Sequence, residues 1–220
     1  MPTNQRPTGA IVRRLDAARH DYSFGIEEEY FLVRVGSGEL VREMPGALME
    51  RLHERFAGLI GTELLQSQVE ARTPVCRHPD DARMVLGNLR RGINAEAIPH
   101  GLAILSAGTH PSADWRTLRA DPAPRHAGLV ADFALIARRN AVCGMHVHVS
   151  PPPGVDRVAV MNRVVPWTPL LLALSASSPF WTGELTGLAS YRQSAYDEWP
   201  RSGTPPDLRD EPEYDRLVAR

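Results

Sequence analysis

The stretch YSFGIEEEYFLV, residues 22–33, combines aromatic and β-branched residues with three consecutive glutamates. This composition predicts a β-strand that ends before a turn at residues 36–38. Alternate side chains of a strand share a face, so Glu27 and Glu29 point one way and Glu28 points the other way. The strand therefore presents two carboxylates on one surface.

Two neighbouring carboxylates on one face allow two interpretations. Like charges oppose each other's ionisation, so a cation such as Mg2+, which prefers oxygen ligands, would stabilise the pair. Alternatively, the glutamates lie solvated on the wet face of an edge strand, since charged residues are common on antiparallel sheets. The strand alone does not decide between a metal site and a solvated surface.

A second strand is predicted from CGMHVHVS, residues 143–150. His146 and His148 share its polar face. The opposite face is apolar and is predicted to be the core side, with Met145, Val147 and Val149. Alternating imidazoles can ligate a metal, although a histidine pair without a partner carboxylate is more often structural.

Residues 62–73 predict a third strand with a polar face. If this strand is continuous, Glu70 lies on that face and Glu63 lies on the opposite one unless a bulge intervenes. Glu70 is therefore the better candidate ligand. Its alternative role is a surface salt bridge, for which Arg72 is the nearest partner.

The remaining pattern mixes helices and strands without a regular βαβ rhythm, which favours an α+β fold with a largely antiparallel sheet. A further strand is expected at residues 102–107, and the tail from Thr204 reads as a loop or boundary. Helices are predicted at residues 47–56, 82–97, 125–139 and, kinked or split by prolines, 155–176.

Composition excludes several function classes. The net charge is −1 with both signs interleaved, so nothing indicates binding to nucleic acid or an anionic membrane. All 25 basic residues are arginine, which excludes a lysine nucleophile and a P-loop lysine. Nucleotide phosphates would have to be bound by arginine, backbone amides or metal ions.

Location is inferred from the cysteines and from apolar runs. Cys76 and Cys143 are far apart and match neither a metal pair nor a disulfide framework. Residues 1–8 lack the apolar core of a signal peptide, and no apolar run is expected to reach the roughly 18 to 20 residues that span a bilayer. We therefore expect a cytoplasmic protein.

Five blocks of the sequence resemble bacterial carboxylate–amine ligases related to glutamate–cysteine ligase. The likeness extends from about residue 22 to residue 206. The blocks are FGIEEE at 24–29, QSQVE with TPVC at 66–76, GTHP at 108–111, CGMHVHV at 143–149, and SPFW through TGLASYR at 178–192.

This resemblance implies a catalytic fold like that of glutamine synthetase, in which ATP and Mg2+ or Mn2+ lie over an antiparallel sheet flanked by helices. Family members run well beyond this length, so the fold is expected to be incomplete. The implied division is a flexible arm at 1–21, a partial catalytic domain at 22–206 and a boundary or tail at 207–220.

The resemblance also implies roles for site residues. Arg192 would be catalytic and would bind substrate or nucleotide phosphate, with helix capping or pairing with Asp197 or Glu198 as its alternative. His148 would be a cofactor-binding residue beside the metals. Four residues match metal-binding positions of the family, namely Glu27, Glu29, Glu70 and His146.

The implied reaction joins a small-molecule carboxylate to an amine through an acyl phosphate formed from ATP. Two other functions remain open at this point. The same carboxylates and histidines could form a metal-dependent hydrolase, or the chain could be a truncated paralogue that binds nucleotide without turnover. A homo-oligomer is a further expectation for the assembly.

Overall fold

A five-stranded antiparallel sheet is built around β1 in the computed structural model, which describes residues 22–219. β3 pairs along one side of β1, and β2 lies outside β3. On the other side, β5 pairs with the first half of β1 and β4 with its last residues. The strands are β1 (Ser23–Arg34), β2 (Ile60–Thr62), β3 (Gln68–Arg72), β4 (Leu102–Leu105) and β5 (Met145–Ser150).

Two helices, α1 (Gly46–Arg55) and α2 (Pro79–Ala97), cover one face of this sheet. α2 begins where the His78 side chain accepts a hydrogen bond from the backbone N–H of Asp80, which satisfies one of the free donors of the first turn. The main core lies between these helices and the sheet. It includes Tyr30, Leu32, Leu48, Leu52, Val69, Ala71, Leu89 and Ile93.

The opposite face of the sheet is covered only in part. A smaller cluster of Phe31, Val33, Leu40 and Cys143 packs at the end of β1 that pairs with β4. The other end of the same face, which carries Glu27 and Glu29, adjoins open cavities. The predicted α+β class with a mostly antiparallel sheet is confirmed.

The helices after β4 follow the sequence prediction with one break. The expected helix at 125–139 is interrupted at Ala134, whose φ of 43° lies outside the helical region. The predicted split within 155–176 is confirmed by a 3-10 turn at Val165–Trp167. The helices are α3 (Pro124–Phe133), α4 (Leu135–Arg139), α5 (Arg157–Val164), α6 (Thr168–Ser175), α7 (Tyr191–Tyr196) and α8 (Glu211–Val218).

The predicted division into an arm, a partial catalytic domain and a tail stays a prediction. The arm at 1–21 lies outside the described residues. The tail, predicted as a loop or boundary, contains α8, which is connected to α5 by an ion pair between Arg157 and Glu211.

Short elements complete the described part of the chain. A hairpin is formed by β6 (Phe180–Trp181) and β7 (Glu184–Leu185), and further 3-10 turns lie at Ile98–His100 and Trp115–Thr117.

The prediction for residues 62–73 is wrong, because they do not form one strand. β2 ends at Thr62 and β3 begins at Gln68, with a turn between them. Backbone contacts to a distant segment hold this turn: Gln66 N–H donates to the Arg119 carbonyl, and Asp121 N–H donates to that of Leu64. The prediction that Glu63 lies on the face opposite Glu70 assumes a continuous strand, and it fails because the strand is interrupted.

The predicted core side of β5 is also wrong. Met145, Val147 and Val149 share a face as expected, but all three are exposed in the part of the chain that the structure describes. α1 and α2 pack under β1 and β3 and do not extend beneath β5. The strand therefore has an apolar face without a covering layer among residues 22–219.

The helical run Arg157–Ser175 lies within the predicted range 155–176, but it reaches the roughly 18 to 20 residues that the sequence analysis does not expect of an apolar run. It spans 19 residues with a mean hydropathy of 1.3. Pro166 lies in the first turn of the segment Val165–Trp167 and Pro169 in the first turn of α6, so the two prolines do not end the helical run. By length and composition it meets the requirement for a membrane span. One such helix is weak evidence for a span.

Candidate metal centre

The end of the sheet that carries Glu27 and Glu29 brings together residues from three strands. In the register of the sheet, Glu29 lies opposite Glu70 of β3, and Glu27 lies opposite His146 of β5. Directly opposed side chains of antiparallel strands have Cβ atoms about 5 Å apart. The four residues predicted as metal ligands thus share one face. Their role as ligands stays a prediction.

Glu27 forms a compact group with the two histidines of β5. Its Oε2 atom lies 2.9 Å from Nε2 of His148 and 3.5 Å from Nδ1 of His146. One ligand atom from each residue falls within 4.8 Å of the others, close enough for a common metal ion. The hydrogen bond from His148 is the main cause that lowers the pKa of Glu27, so this carboxylate is ionised at neutral pH.

The structure thus extends the predicted role of His148. The sequence analysis places it beside the metals as a cofactor-binding residue, whereas the geometry puts its imidazole in the same group as Glu27 and His146. His146 also reaches the neighbouring carboxylate, with Nε2 at 3.7 Å from Oε1 of Glu29. It therefore connects the histidine group to the glutamates further along β1.

A second group consists of the carboxylates of Glu29, Glu63 and Glu70. Burial raises the pKa of Glu29, although the Gly144 N–H donates to its Oε2 at 2.8 Å and partly offsets this. Burial, together with the charge of Glu29 and a contact with Glu70, raises the pKa of Glu63 to about 7. Three carboxylates in one place oppose each other's ionisation, so this group suits a cation.

Glu63 is the site residue that the sequence analysis missed. It contacts Glu70 and lies near enough to Glu29 for their charges to interact, because the chain leaves β2 at Thr62 and turns before β3. That turn is held by contacts with residues 119–121, far away in sequence. No local signal in the sequence marks it, which is why the parity of a continuous strand gave the wrong face.

The alternative role considered for Glu70, a surface salt bridge, is present only in part. Nη2 of Arg72 lies 3.2 Å from Oε2 of Glu70, so the pair is formed. Glu70 is only 6% exposed, however, and is not a surface residue. The same carboxylate contacts Arg72 on one side and Glu63 on the other.

Glu28 points to the opposite face, as the alternation of β1 predicts. It is buried there and forms a bidentate ion pair with Arg90 of α2, with Nε of Arg90 at 2.9 Å from Oε2. The Tyr30 hydroxyl donates to the same carboxylate, and burial with this contact raises the pKa of Tyr30. Glu28 therefore connects α2 to the sheet and lies on the face opposite Glu27 and Glu29.

Arg192 reaches this face from α7. Its Nε–H donates to the Cys143 carbonyl at 2.7 Å, and its side chain stacks over the Tyr196 ring at 5.7 Å. The two carboxylates considered as alternative partners are engaged elsewhere: Asp197 accepts from Gln193, and Glu198 pairs with Arg139.

Gly144 leaves room for the Arg192 guanidinium. A Cβ atom at Gly144 would lie 2.5 Å from Nη2 of Arg192 and 3.1 Å from Nε2 of His146. The guanidinium thus passes directly over the backbone of Gly144, beside the glutamates. Its positive charge counteracts part of the burial effect on the pKa of Glu29.

Open space adjoins the two groups on three sides. A cavity of about 520 Å³ is lined by Glu29, Arg192 and residues of α6, and one of about 350 Å³ lies beside Glu27 and His148. A third, of about 380 Å³, adjoins Glu63 and Trp199. These volumes fall in the range of small-molecule sites.

Fold and site together define a class of protein: an antiparallel sheet packed by helices on one face, with carboxylates and imidazoles suited to divalent cations on the other. Comparison of the sequence with known families gives a match to glutamate–cysteine ligase family 2 over residues 23–220. The chain belongs to this family, as the resemblance in the sequence predicts.

Curated relatives support the assignment, and this chain spans only part of their length. A protein of Bradyrhizobium sp. strain BTAi1, named "Putative glutamate--cysteine ligase 2", is 45% identical over 199 residues, which cover 90% of this chain and 49% of that protein. A protein of the same name from Pseudomonas aeruginosa strain LESB58 is 45% identical over 204 residues, 93% of this chain and 54% of its own. The chain spans about half the length of these relatives.

Two solved structures share the fold. A bifunctional glutathione synthetase from Pasteurella multocida superimposes with a TM-score of 0.71 at 18% identity, covering 94% of this chain and 32% of its own. A glutamate–cysteine ligase from Francisella tularensis in complex with AMP gives a TM-score of 0.55 at 18% identity, covering 72% and 36%. The expected incomplete, sheet-based fold is confirmed.

Proposed function

We propose that this chain supplies the metal-binding sheet face of an ATP-dependent carboxylate–amine ligase. The observation that carries the proposal is the convergence of carboxylates from β1, β3 and the β2–β3 turn with the imidazoles of β5 in a member of this family. Membership of the family favours ligation over the metal-dependent hydrolase considered from sequence. Small-molecule carboxylates and amines are the proposed substrates.

The donor set fits divalent cations in two ways. Glu29, Glu63 and Glu70 offer only oxygen atoms, which suit Mg2+, and their mutual repulsion is relieved by a bound cation. Glu27 with His146 and His148 offers one carboxylate and two imidazoles, which also suit Mn2+. Bound cations would neutralise phosphate oxygens during phosphoryl transfer.

In the proposed reaction, a carboxylate oxygen attacks the γ-phosphorus of ATP, and ADP leaves. The amine then attacks the acyl carbon, and phosphate leaves as the amide forms. Attack of one anion on another requires positive charge at the reaction centre. Arg192 would supply it from α7, since its planar guanidinium suits both carboxylate and phosphate.

The position of Arg192 is supported by its surroundings. The Cys143 carbonyl accepts from its Nε–H, which fixes the plane of the guanidinium and leaves the terminal nitrogens over Gly144. His148 and Glu27 border a separate cavity, which would accommodate another part of the bound nucleotide or substrate.

An assay of phosphate release tests this proposal. Purified chain is incubated with ATP, Mg2+ or Mn2+, and panels of carboxylates and amines, with hydroxylamine added to trap an acyl phosphate as a hydroxamate. We expect hydroxamate that depends on ATP, metal and carboxylate, and that is lost in Arg192→Ala. Substrate hydrolysis with metal but without ATP would contradict ligation.

Location and assembly form part of the same proposal. A cytoplasmic site of action is supported by the two cysteines, Cys76 and Cys143, which are free and buried. Burial raises the pKa of the Cys143 thiol, so it is a poor nucleophile and has a packing role beside Gln68. Self-association stays a prediction that sedimentation of the purified chain would test.

A further inference from the structure

Arg72 brings a second guanidinium to the face that carries the carboxylates. It lies opposite Glu27 in the pairing of β3 with β1, and directly opposed residues of an antiparallel pair share a face. The period of two along β3 places Glu70 on that face as well. Arg192 reaches the same face from the side of β5, where its guanidinium passes over Gly144. An arginine therefore flanks the carboxylates on either side.

Gly61 makes room for the Arg72 side chain, as Gly144 does for Arg192. Gly61 lies on β2 opposite Glu70. A Cβ atom at Gly61 would clash with Nη2 of Arg72 and would lie 3.4 Å from Oε2 of Glu70. The guanidinium thus packs over the backbone of β2 at a position where the residue beneath it has no side chain.

The guanidinium of Arg72 is incompletely hydrogen-bonded in this arrangement. Its Nη2 atom donates to Oε2 of Glu70 at 3.2 Å. Its Nε atom is buried and has no hydrogen-bond partner within residues 22–219. A buried donor without an acceptor costs free energy, and the planar fork of a guanidinium suits a carboxylate or a phosphate. The Arg72 side chain is 39% exposed, so part of it stays open to a ligand.

We propose that Arg72 is a second anion-binding residue of this site, and that it binds an oxyanion after Glu70 has bound a divalent cation. In the metal-free protein the guanidinium is the counter-charge of Glu70. Arg72 competes with a cation for the same oxygen atom and is repelled by its charge, so it would leave Glu70 and donate to the oxyanion. The cavity of about 350 Å³ that Arg72 lines with Glu27 and His148 offers space for this group. This role rests on the proposed function, because the oxyanion is a nucleotide phosphate or the carboxylate substrate of the ligase.

Calorimetric titration separates this role from that of a structural salt bridge. Arg72→Gln removes the positive charge beside Glu70, so Mn2+ should bind about 3-fold more tightly than to the wild type. At saturating Mn2+, the same variant should bind the oxyanion about 10-fold more weakly, because a charge-assisted contact is lost. The two changes have opposite signs, whereas damage to the sheet would weaken both kinds of binding.

Two sets of probes and a matched control complete the test. Inorganic triphosphate and the β,γ-imido analogue of ATP represent the nucleotide phosphates, and a panel of small carboxylates represents the substrate. A loss of affinity in either set supports the proposal and identifies the source of the oxyanion. Arg55→Gln is the control: Arg55 pairs with Glu96 at 2.7 Å and its side chain is 49% exposed, but the pair lies on the helices that cover the opposite face. This variant should bind Mn2+ and all probes like the wild type.

Three results would overturn the proposal. The first is that the wild type and Arg72→Gln bind every probe equally at saturating Mn2+, or that neither binds any probe. The second is Mn2+ affinity in Arg72→Gln that is equal to or below that of the wild type, since Arg72 would then only support the sheet. The third is the same pair of changes in Arg55→Gln. None of these measurements requires turnover, so a wild type that shows the predicted binding but forms no hydroxamate would refute ligation and leave the role of Arg72 intact.

Discussion

Replacement of Glu63 by glutamine should stabilise the metal-free protein. Burial and the neighbouring Glu29 and Glu70 raise the pKa of Glu63 from 4.5 to about 7. At about 1.4 kcal/mol per pKa unit, this difference corresponds to about 3 kcal/mol. Glu63 is only partly buried, so solvent screening reduces the expected gain in unfolding free energy to about 1 to 2 kcal/mol.

The gain should depend on pH in a defined direction. Because the folded-state pKa of Glu63 lies above the unfolded value, the folded protein binds this proton more tightly, and stability falls as pH rises from about 4.5 to about 7. Glu63→Gln lacks this loss. The two proteins should therefore be nearly equal near pH 4.5 and differ fully at pH 8.

Urea denaturation in EDTA at pH 4.5 and pH 8 measures this difference. At pH 8 we expect the midpoint of Glu63→Gln to lie roughly 0.5 to 1 M above that of the wild type. Saturating Mn2+ should reverse the order, because only the wild type keeps all three carboxylates for the cation. Glu39→Gln, at an exposed glutamate, is the control. A variant less stable than the wild type in EDTA at pH 8 would refute the reasoning.

Three further substitutions test separate parts of the structure. Arg90→Ala leaves the buried Glu28 carboxylate without its positively charged partner and should lower the unfolding free energy by about 2 to 3 kcal/mol in urea denaturation; an unchanged midpoint would contradict the role of this pair. Gly144→Ala should displace the Arg192 guanidinium and reduce hydroxamate formation at least 10-fold, while the unfolding free energy changes by less than about 1 kcal/mol; full activity would count against the placement of Arg192. His148→Gln should weaken Mn2+ binding about 10-fold in calorimetry, and equal affinity would remove His148 from the metal group.

Much of the candidate site could be predicted because strand alternation is a local property. The period of two places Glu27 and Glu29 on one face and Glu28 on the other, and the structure agrees on all three. The same rule puts His146 and His148 on a common face. The pattern within one strand does not show which strands pair with each other. The sequence analysis inferred that pairing from the likeness to a family.

The failures share a cause in long-range contacts. Glu63 joins the carboxylates because residues 119–121 hold the chain in a turn, which no pattern within 62–73 reveals. Alternation on β5 correctly gives an apolar face, but burial requires a covering layer, and the described helices pack elsewhere. A pattern of apolar residues predicts a face that tends to be covered, and what covers it depends on the whole assembly.

Calorimetric titration of the purified chain with Mn2+ tests the central claim, that carboxylates and imidazoles of separate strands jointly bind divalent cations. The comparison is among the wild type, the double variant Glu27→Gln/Glu29→Gln, and Glu39→Gln as a surface control. We predict saturable binding by the wild type and the control, and affinity reduced at least 10-fold in the double variant. Equal Mn2+ affinity in all three proteins would contradict the claim.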